Sequence, residues 1–337
     1  MTQSPSPRLL SVRGLRVELP IAGNFYPAVD GVDFDLAAGE SLAIIGESGC
    51  GKTLLARALL DLAPEGARVS GDIRLEGVSL RGRPEAEWCR VRGGAISLVF
   101  QEPGSALDPV RTVGDQIVEA IRAHRAGAAD DARATALGLL REVSFADAER
   151  ALSEYPHRLS GGERQRAFLA IALAANPKVL IADEPTSSLD ATIAAEVLEL
   201  LETLRRQRGL SLILISHDLA AVTRATDRAL VLYAGRVVEE GTTDSLFRGA
   251  RHPYTRGLLA SAIRPRSAAP GERFPAIAGA VPDLARRESG RCAFAPRCPE
   301  RFSRCDAEDP ALLSVDSGRV RCFLYEPVGV AAPSPSG

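Results

Sequence analysis

An excess of one charge is missing from this sequence: 41 Lys and Arg face 43 Asp and Glu, for a formal net charge of -2. Nucleic-acid binders usually carry a basic excess on at least one domain, so DNA and RNA are not expected partners and the charges read as a mixed, solvated surface. Any apolar run near the roughly 18 residues that suggest a membrane span is also missing. The longest candidate, residues 167–182, is broken by Asn176-Pro177-Lys178. Met1 to Pro7 is polar and proline-rich, without the apolar core of a secretory signal. The chain therefore reads as cytosolic, and a role at a membrane must come through a partner. There is no internal repeat, no heptad run and no Cys-x-x-Cys. Methionine is nearly absent and arginine far exceeds lysine, which suggests a GC-rich genome and says nothing about function.

What is present suffices for one large core or two moderate ones: 337 residues, 45% apolar and 25% charged. Residues 9–19 and 32–45 hold short strand-like runs with turns at Gly31 and Gly39. Val179–Ala182 and Leu212–Ile215 are apolar without alternation, as in strands covered on both faces of a parallel sheet. The helical stretch 191–207 between them completes a β-α-β unit, so the core is expected to be α/β. Residues 101–159, rich in Ala, Arg and Glu, read as helical. Residues 264–290, rich in Pro, Arg, Ala and Gly, read as an irregular connector, and 331–337 as a disordered tail.

Ser41–Ile45 runs directly into Gly46-Glu47-Ser48-Gly49-Cys50-Gly51-Lys52-Thr53, and a helical stretch follows. Strand, glycine loop and helix are the context that makes G-x-x-x-x-G-K-T a phosphate site. The glycines let backbone N–H groups turn inward as an anion nest, and the helix start adds its dipole. Lys52 is expected to reach the β- and γ-phosphates of ATP, and Thr53 to offer its hydroxyl to Mg²⁺. Asp183 and Glu184 end an apolar strand; Asp183 would hold the Mg²⁺ water shell and Glu184 would polarise the attacking water. Ser160, Gly161 and Gly162 precede a helix expected over 163–175, which reads as a second anion site on a chain that already has one.

Here the sequence resembles the nucleotide-binding subunits of ATP-binding-cassette (ABC) transporters. Leu159–Gln165 matches that family's signature motif, and Gln101 after Ser97–Phe100 its Q-loop. Ser187-Ser188-Leu189-Asp190 matches the D-loop and His217 the switch histidine, all in the family's order over residues 8–250. The resemblance implies a P-loop NTPase fold: a parallel-sheet core, an antiparallel β subdomain and a helical subdomain at about 102–164. It implies that two subunits meet head to tail, with each ATP between one loop and the other's signature motif. Gln101 would then contact Mg²⁺ or water and report nucleotide state to the membrane subunit. His217 would hold the γ-phosphate with Glu184 as base, and Asp190 would belong to the nucleotide-binding set. Adenine would stack on Phe25 or Tyr26, between which spacing does not choose. Cys50 stands where the family often has serine, which raises the expectation of a thiol-sensitive site.

His252-Pro253-Tyr254-Thr255, Ala278–Leu284 and Phe294–Pro299 resemble the extension of oligopeptide and dipeptide importer ATPases, here 251–327, leaving 1–7 and 328–337 as tails. The implied partners are a paralogous ATPase subunit, two polytopic permease subunits and an extracytoplasmic substrate-binding protein. The chain would sit peripherally on the cytoplasmic face of the cell membrane. Related importers carry nickel chelates, glutathione or sugars, and a non-transport ABC ATPase is the remaining rival. Cys292, Cys298, Cys305 and Cys322 have spacings that fit neither a zinc ribbon nor either common ferredoxin pattern, and suggest a four-thiolate site. The family carries a [4Fe–4S] cluster on cysteines so placed.

Overall fold

A computed structural model of the chain describes residues 8–100, 106–124, 131–187, 189–262, 277–316 and 318–326. In chain order, β1 (Arg8–Ile21) and β2 (Asn24–Ala37) form a long antiparallel hairpin. Next come β3 (Ser41–Ile45), α1 (Lys52–Ala58), β4 (Arg68–Leu75), β5 (Val78–Ser79), α2 (Glu85–Val91) and β6 (Ile96–Val99). Three helices follow, α3 (Val113–His124), α4 (Ala132–Glu142) and α5 (Ala148–Ser153), and then α6 (Gly161–Ala172). The remaining core elements are β7 (Val179–Asp183), α7 (Ala191–Arg208), β8 (Ser211–Ile215), α8 (Leu219–Ala225), β9 (Arg228–Tyr233) and β10 (Arg236–Thr242). Beyond them lie α9 (Thr243–Gly249), α10 (Pro253–Ala262), α11 (Ser303–Ala307), β11 (Leu313–Val315) and β12 (Gly318–Val320).

Two sheets result. One is antiparallel, in the order β2-β1-β4-β5; the other has the order β11-β12-β10-β9-β3-β8-β7-β6. Its segment from β9 to β6 is parallel, and the strands from β10 outward run antiparallel. The hairpin of β11 and β12 from the C-terminal region thereby adds two strands to the main sheet.

The unbroken apolar runs are explained by the layers on each side. Leu212 and Leu214 of β8 point into a core shared with α3 to α7, while Ile213 and Ile215 join the core beneath β1, β2 and α1. A strand covered by helices on one face and a second sheet on the other has no solvent side, so alternation is lost. All five residues of β3, β7 and β8 are buried. The carboxyl ends of these strands carry Gly46, Glu184 and Ser216, which places the loop, the acidic pair and the histidine segment at one edge of the sheet. Open parallel sheets bind ligands at that edge.

Candidate active site

The loop after β3 holds a shape that only glycine permits at two points. Gly46 has φ 153°, and a Cβ there would lie 2.2 Å from the Leu232 carbonyl oxygen. Gly51 has φ 107°, and its Cβ would lie 2.7 Å from the Ala28 carbonyl oxygen. Lys52 is buried and folds back across the loop, its Nζ donating to the carbonyls of Gly46 at 2.8 Å and Glu47 at 3.1 Å. Ser48, Gly49, Gly51, Lys52, Thr53 and Glu184 line a cleft of about 660 Å³. Cys50 corrects the expectation of a thiol-sensitive loop. Its side chain is wholly buried beneath Gly46, and burial pushes the thiol pKa up, so little reactive thiolate is presented to solvent.

Asp183 ends β7 almost fully buried. Burial raises its pKa, opposed by a side-chain hydrogen bond from Thr53. Its Oδ1 is buried without any hydrogen-bond partner. An orphaned carboxylate oxygen beside a threonine hydroxyl is a donor set suited to a hard cation such as Mg²⁺. Glu184 takes a left-handed backbone, φ 47°, unusual for a non-glycine residue. Its N–H is held by the Ile215 carbonyl at 2.9 Å, and its Oε2 lies 3.3 Å from Nδ1 of the exposed His217. Strand pairing of β7 with β8 thus brings together a glutamate and a histidine 33 positions apart in the sequence.

Two structural roles fall on the segment at 159–165. Ser160 caps α6, its Oγ accepting the Glu163 N–H while the Glu163 carboxylate accepts the Ser160 N–H, a reciprocal capping box. Gly162 is required by packing: a Cβ there would sit 2.7 Å from Cγ2 of Ile193 on α7. Asp190 spends its carboxylate on the N–H groups of Thr192 and Ile193 at the start of α7. Ser160, Gly161 and Asp190 are exposed, and neither they nor Gly162 is among the residues lining the cleft. Gln101 and Ser188 lie outside the described residues.

Phe25 and Tyr26 differ in surroundings. Tyr26 pairs across the hairpin with Leu19, which lines the cleft, and Tyr26 itself lines a hollow adjoining it. Phe25 pairs with Pro20, and the Arg68 guanidinium lies over its ring at 3.5 Å from the centroid.

The C-terminal region also reaches the loop, which no motif revealed. Arg297, with its side chain 4% exposed, grips Glu47 with both terminal nitrogens, at 2.7 and 3.0 Å. The Tyr254 hydroxyl accepts the Glu47 N–H at 2.8 Å, and Arg287 donates to the Gly49 carbonyl at 3.0 Å. Val281 to Leu284 and Arg287 form one wall of the cleft. These contacts join residues 207 to 250 positions apart, so spacing carries no signal for them.

Cys292, Cys298, Cys305 and Cys322 are all free thiols and line one small void walled by Phe294, Phe302 and Phe323. Burial raises the pKa of Cys292 and Cys298 and takes Cys322 to about 11. Among the described residues no group of three or more His, Cys, Asp or Glu is placed to hold a metal ion, which leaves the iron–sulfur expectation without support from the metal geometry.

The chain is similar to known proteins over most of its length. Residues 29–187 match the ABC transporter family, and 238–305 match the oligopeptide/dipeptide transporter C-terminal region. The chain is 46% identical to the oligopeptide transport ATP-binding protein AppD of Bacillus subtilis over 95% of its own length and 98% of the relative's. It is 42% identical to the dipeptide transport ATP-binding protein DppD of the same species, over 95% of each. Among solved structures it resembles an ATP-binding cassette in a dimeric post-hydrolysis state bound to ADP and Pi, with TM-score 0.62 and 25% identity. That likeness covers 69% of this chain and 98% of the other. It also resembles cbiO1 of Clostridium perfringens, part of an ABC transporter complex, with TM-score 0.62 and 25% identity over 72% of this chain and 92% of that one.

Proposed function

The chain belongs to the ABC transporter family, with the C-terminal region of its oligopeptide/dipeptide transporters, and on that premise we propose that it hydrolyses ATP to drive uptake of di- or oligopeptides. The observation that carries the chemistry is the cleft where Lys52, Thr53 and Glu184 meet, with Asp183 beneath it and His217 on Glu184.

In this reading the loop N–H groups and Lys52 take the phosphate chain, Lys52 exchanging its present carbonyl partners for phosphate oxygens. Thr53 and Asp183 would hold Mg²⁺, which neutralises phosphate charge. Glu184 orients and deprotonates the attacking water, and His217 steadies both Glu184 and the γ-phosphate. Tyr26 is the aromatic that takes adenine, since Phe25 is already covered by Arg68. Ser160, Gly161 and Gly162 serve the nucleotide of a partner subunit, consistent with their place outside the chain's own cleft.

No helix among the described residues is long and apolar enough to cross a membrane, so transport requires membrane subunits. We assign it two permeases, a paralogous ATPase and an extracytoplasmic binding protein, at the cytoplasmic face of the membrane. The experiment is co-purification followed by reconstitution in vesicles. Recovery with two polytopic proteins and ATPase activity stimulated by peptide-loaded binding protein is the expected result. Recovery with ribosomes or nucleic acid instead would reject transport, and stimulation by a nickel chelate, glutathione or sugar alone would reject peptide as cargo.

The four cysteines are assigned a structural [4Fe–4S] cluster, supported by the gathering of four thiols on one aromatic-walled void. Anaerobically purified protein should contain about four iron atoms per chain and show broad visible absorbance. Cys322→Ser should lower both. A preparation free of iron and sulfide would end this assignment.

A further inference from the structure

The wall that the C-terminal region builds along the cleft contains one arginine with unused hydrogen-bonding capacity. Arg287 donates from Nη2 to the Gly49 carbonyl at 3.0 Å and from Nε to the Pro282 carbonyl at 3.4 Å. Its Nη1 is buried and has no hydrogen-bond partner. Nearby arginines are matched with carboxylates: Arg286 faces Asp283 at 3.9 Å, Arg291 holds Glu288 at 2.8 Å, and Arg297 holds Glu47. Among the described residues no carboxylate is paired with Arg287. Burial without a counter-charge is unfavourable for a guanidinium, and it draws the Arg287 pKa down. An anion in the cleft would satisfy both the idle N–H and the charge.

The position selects the anion. Arg287 lines the cleft with Ser48, Lys52 and Thr53, and also lines the adjoining hollow beside Tyr26. The turn Leu284–Arg286 packs on β2, which carries Tyr26. Arg287 therefore stands where the phosphate end and the base end of a nucleotide would meet.

We propose that Arg287 is a nucleotide ligand: Nη1 takes a non-bridging oxygen of the phosphate chain while Nη2 keeps the Gly49 carbonyl. The C-terminal region then completes the chain's own ATP site as well as buttressing the loop. This rests on the reading of Gly46–Thr53 as an ATP site.

The test is equilibrium binding of MgATP, MgADP and adenosine to the full-length chain and its variants. Arg287→Ala should weaken ATP and ADP about 10- to 100-fold, the worth of one charge-assisted hydrogen bond, and leave adenosine unchanged. Tyr26→Ala should weaken all three alike, whereas Phe25→Ala should change none. Arg287→Gln separates a phosphate contact from a prop under Gly49, because the amide can still donate to a carbonyl but carries no charge. Loss in Arg287→Gln equal to that in Arg287→Ala supports the contact; wild-type affinity in Arg287→Gln overturns it. Unchanged ATP binding in Arg287→Ala, or equal loss for adenosine, also overturns it. Failure of the wild type to bind ATP, or indifference to Lys52→Ala, would instead sink the underlying ATP-site reading.

Discussion

Glu184→Gln is expected to cut steady-state ATP turnover by about 10²- to 10⁴-fold while leaving MgATP binding within a few-fold of wild type. The amide keeps the shape of the side chain and can still lie beside His217, 3.3 Å away in the native protein. It cannot accept the proton of the attacking water, and positioned general bases contribute about that factor. The backbone around the position argues for a role in chemistry over one in folding. Glu184 sits at φ 47°, a conformation that costs about 1–3 kcal/mol for a non-glycine residue and persists where surrounding structure enforces it. Asparagine or glycine would relieve that strain, yet the position carries a glutamate aimed at the cleft. With hydrolysis blocked and binding intact, ATP should hold the variant and its paralogous partner together, and the mixture should elute as a dimer in MgATP. Single-turnover kinetics and gel filtration check both parts. Turnover within threefold of wild type in the reconstituted transporter would assign the base elsewhere. His217→Ala should show a smaller loss, because a residue that is 62% exposed steadies the glutamate without replacing it.

The sequence made some of this site legible and left other parts hidden, for physical reasons. Strand, glycine loop and helix are consecutive, so local composition was enough to place Gly46–Thr53 at the end of β3. The doubly covered strands β7 and β8 were legible because burial on both faces removes alternation. The choice between Phe25 and Tyr26 was not, since adjacent residues in a strand face opposite ways and only the pairing register reveals which way. In this hairpin a register shift lies two residues away, between the pairs of Val17 and Glu18. Gly162 looked like part of an anion site, whereas a contact with Ile193, made only when α6 meets α7, also demands glycine. The cysteine cluster was legible as a cluster, but its convergence with Phe294 and Phe323 depends on how the chain returns after α11. Hidden altogether were the long-range contacts of the C-terminal region with the loop. Arg297 lies in a matched segment, but nothing in that match points to Glu47, and nothing local distinguishes Arg287 from the exposed Arg286.

Arg297→Ala is expected to lower stability by about 2–4 kcal/mol and to weaken ATP binding together with it. Breaking a buried ion pair by removing one partner costs about 3–5 kcal/mol. The figure is reduced here because the orphaned Glu47 carboxylate remains 29% exposed and can be partly rehydrated. The loss is not only one of charge. Arg297 also donates to the carbonyls of Ala278 at 2.8 Å and Gly279 at 3.1 Å, so its removal unfastens the strap over 277–287 that walls the cleft. Through Glu47 the change reaches the loop, whose residue 47 N–H is already held by the Tyr254 hydroxyl. Arg297→Lys should recover little, because an ammonium cannot grip both carboxylate oxygens and two carbonyls in one plane. Glu47→Ala should cost at least as much as Arg297→Ala, since it strands a guanidinium that is 4% exposed. In a double-mutant cycle the pair should show a coupling of about 1–3 kcal/mol, read from denaturant midpoints. Stability within 0.5 kcal/mol of wild type for Arg297→Ala would mean that the extension merely lies against the loop. A loss of stability with ATP affinity preserved in the remaining folded protein would separate the extension's role in folding from any role in shaping the site.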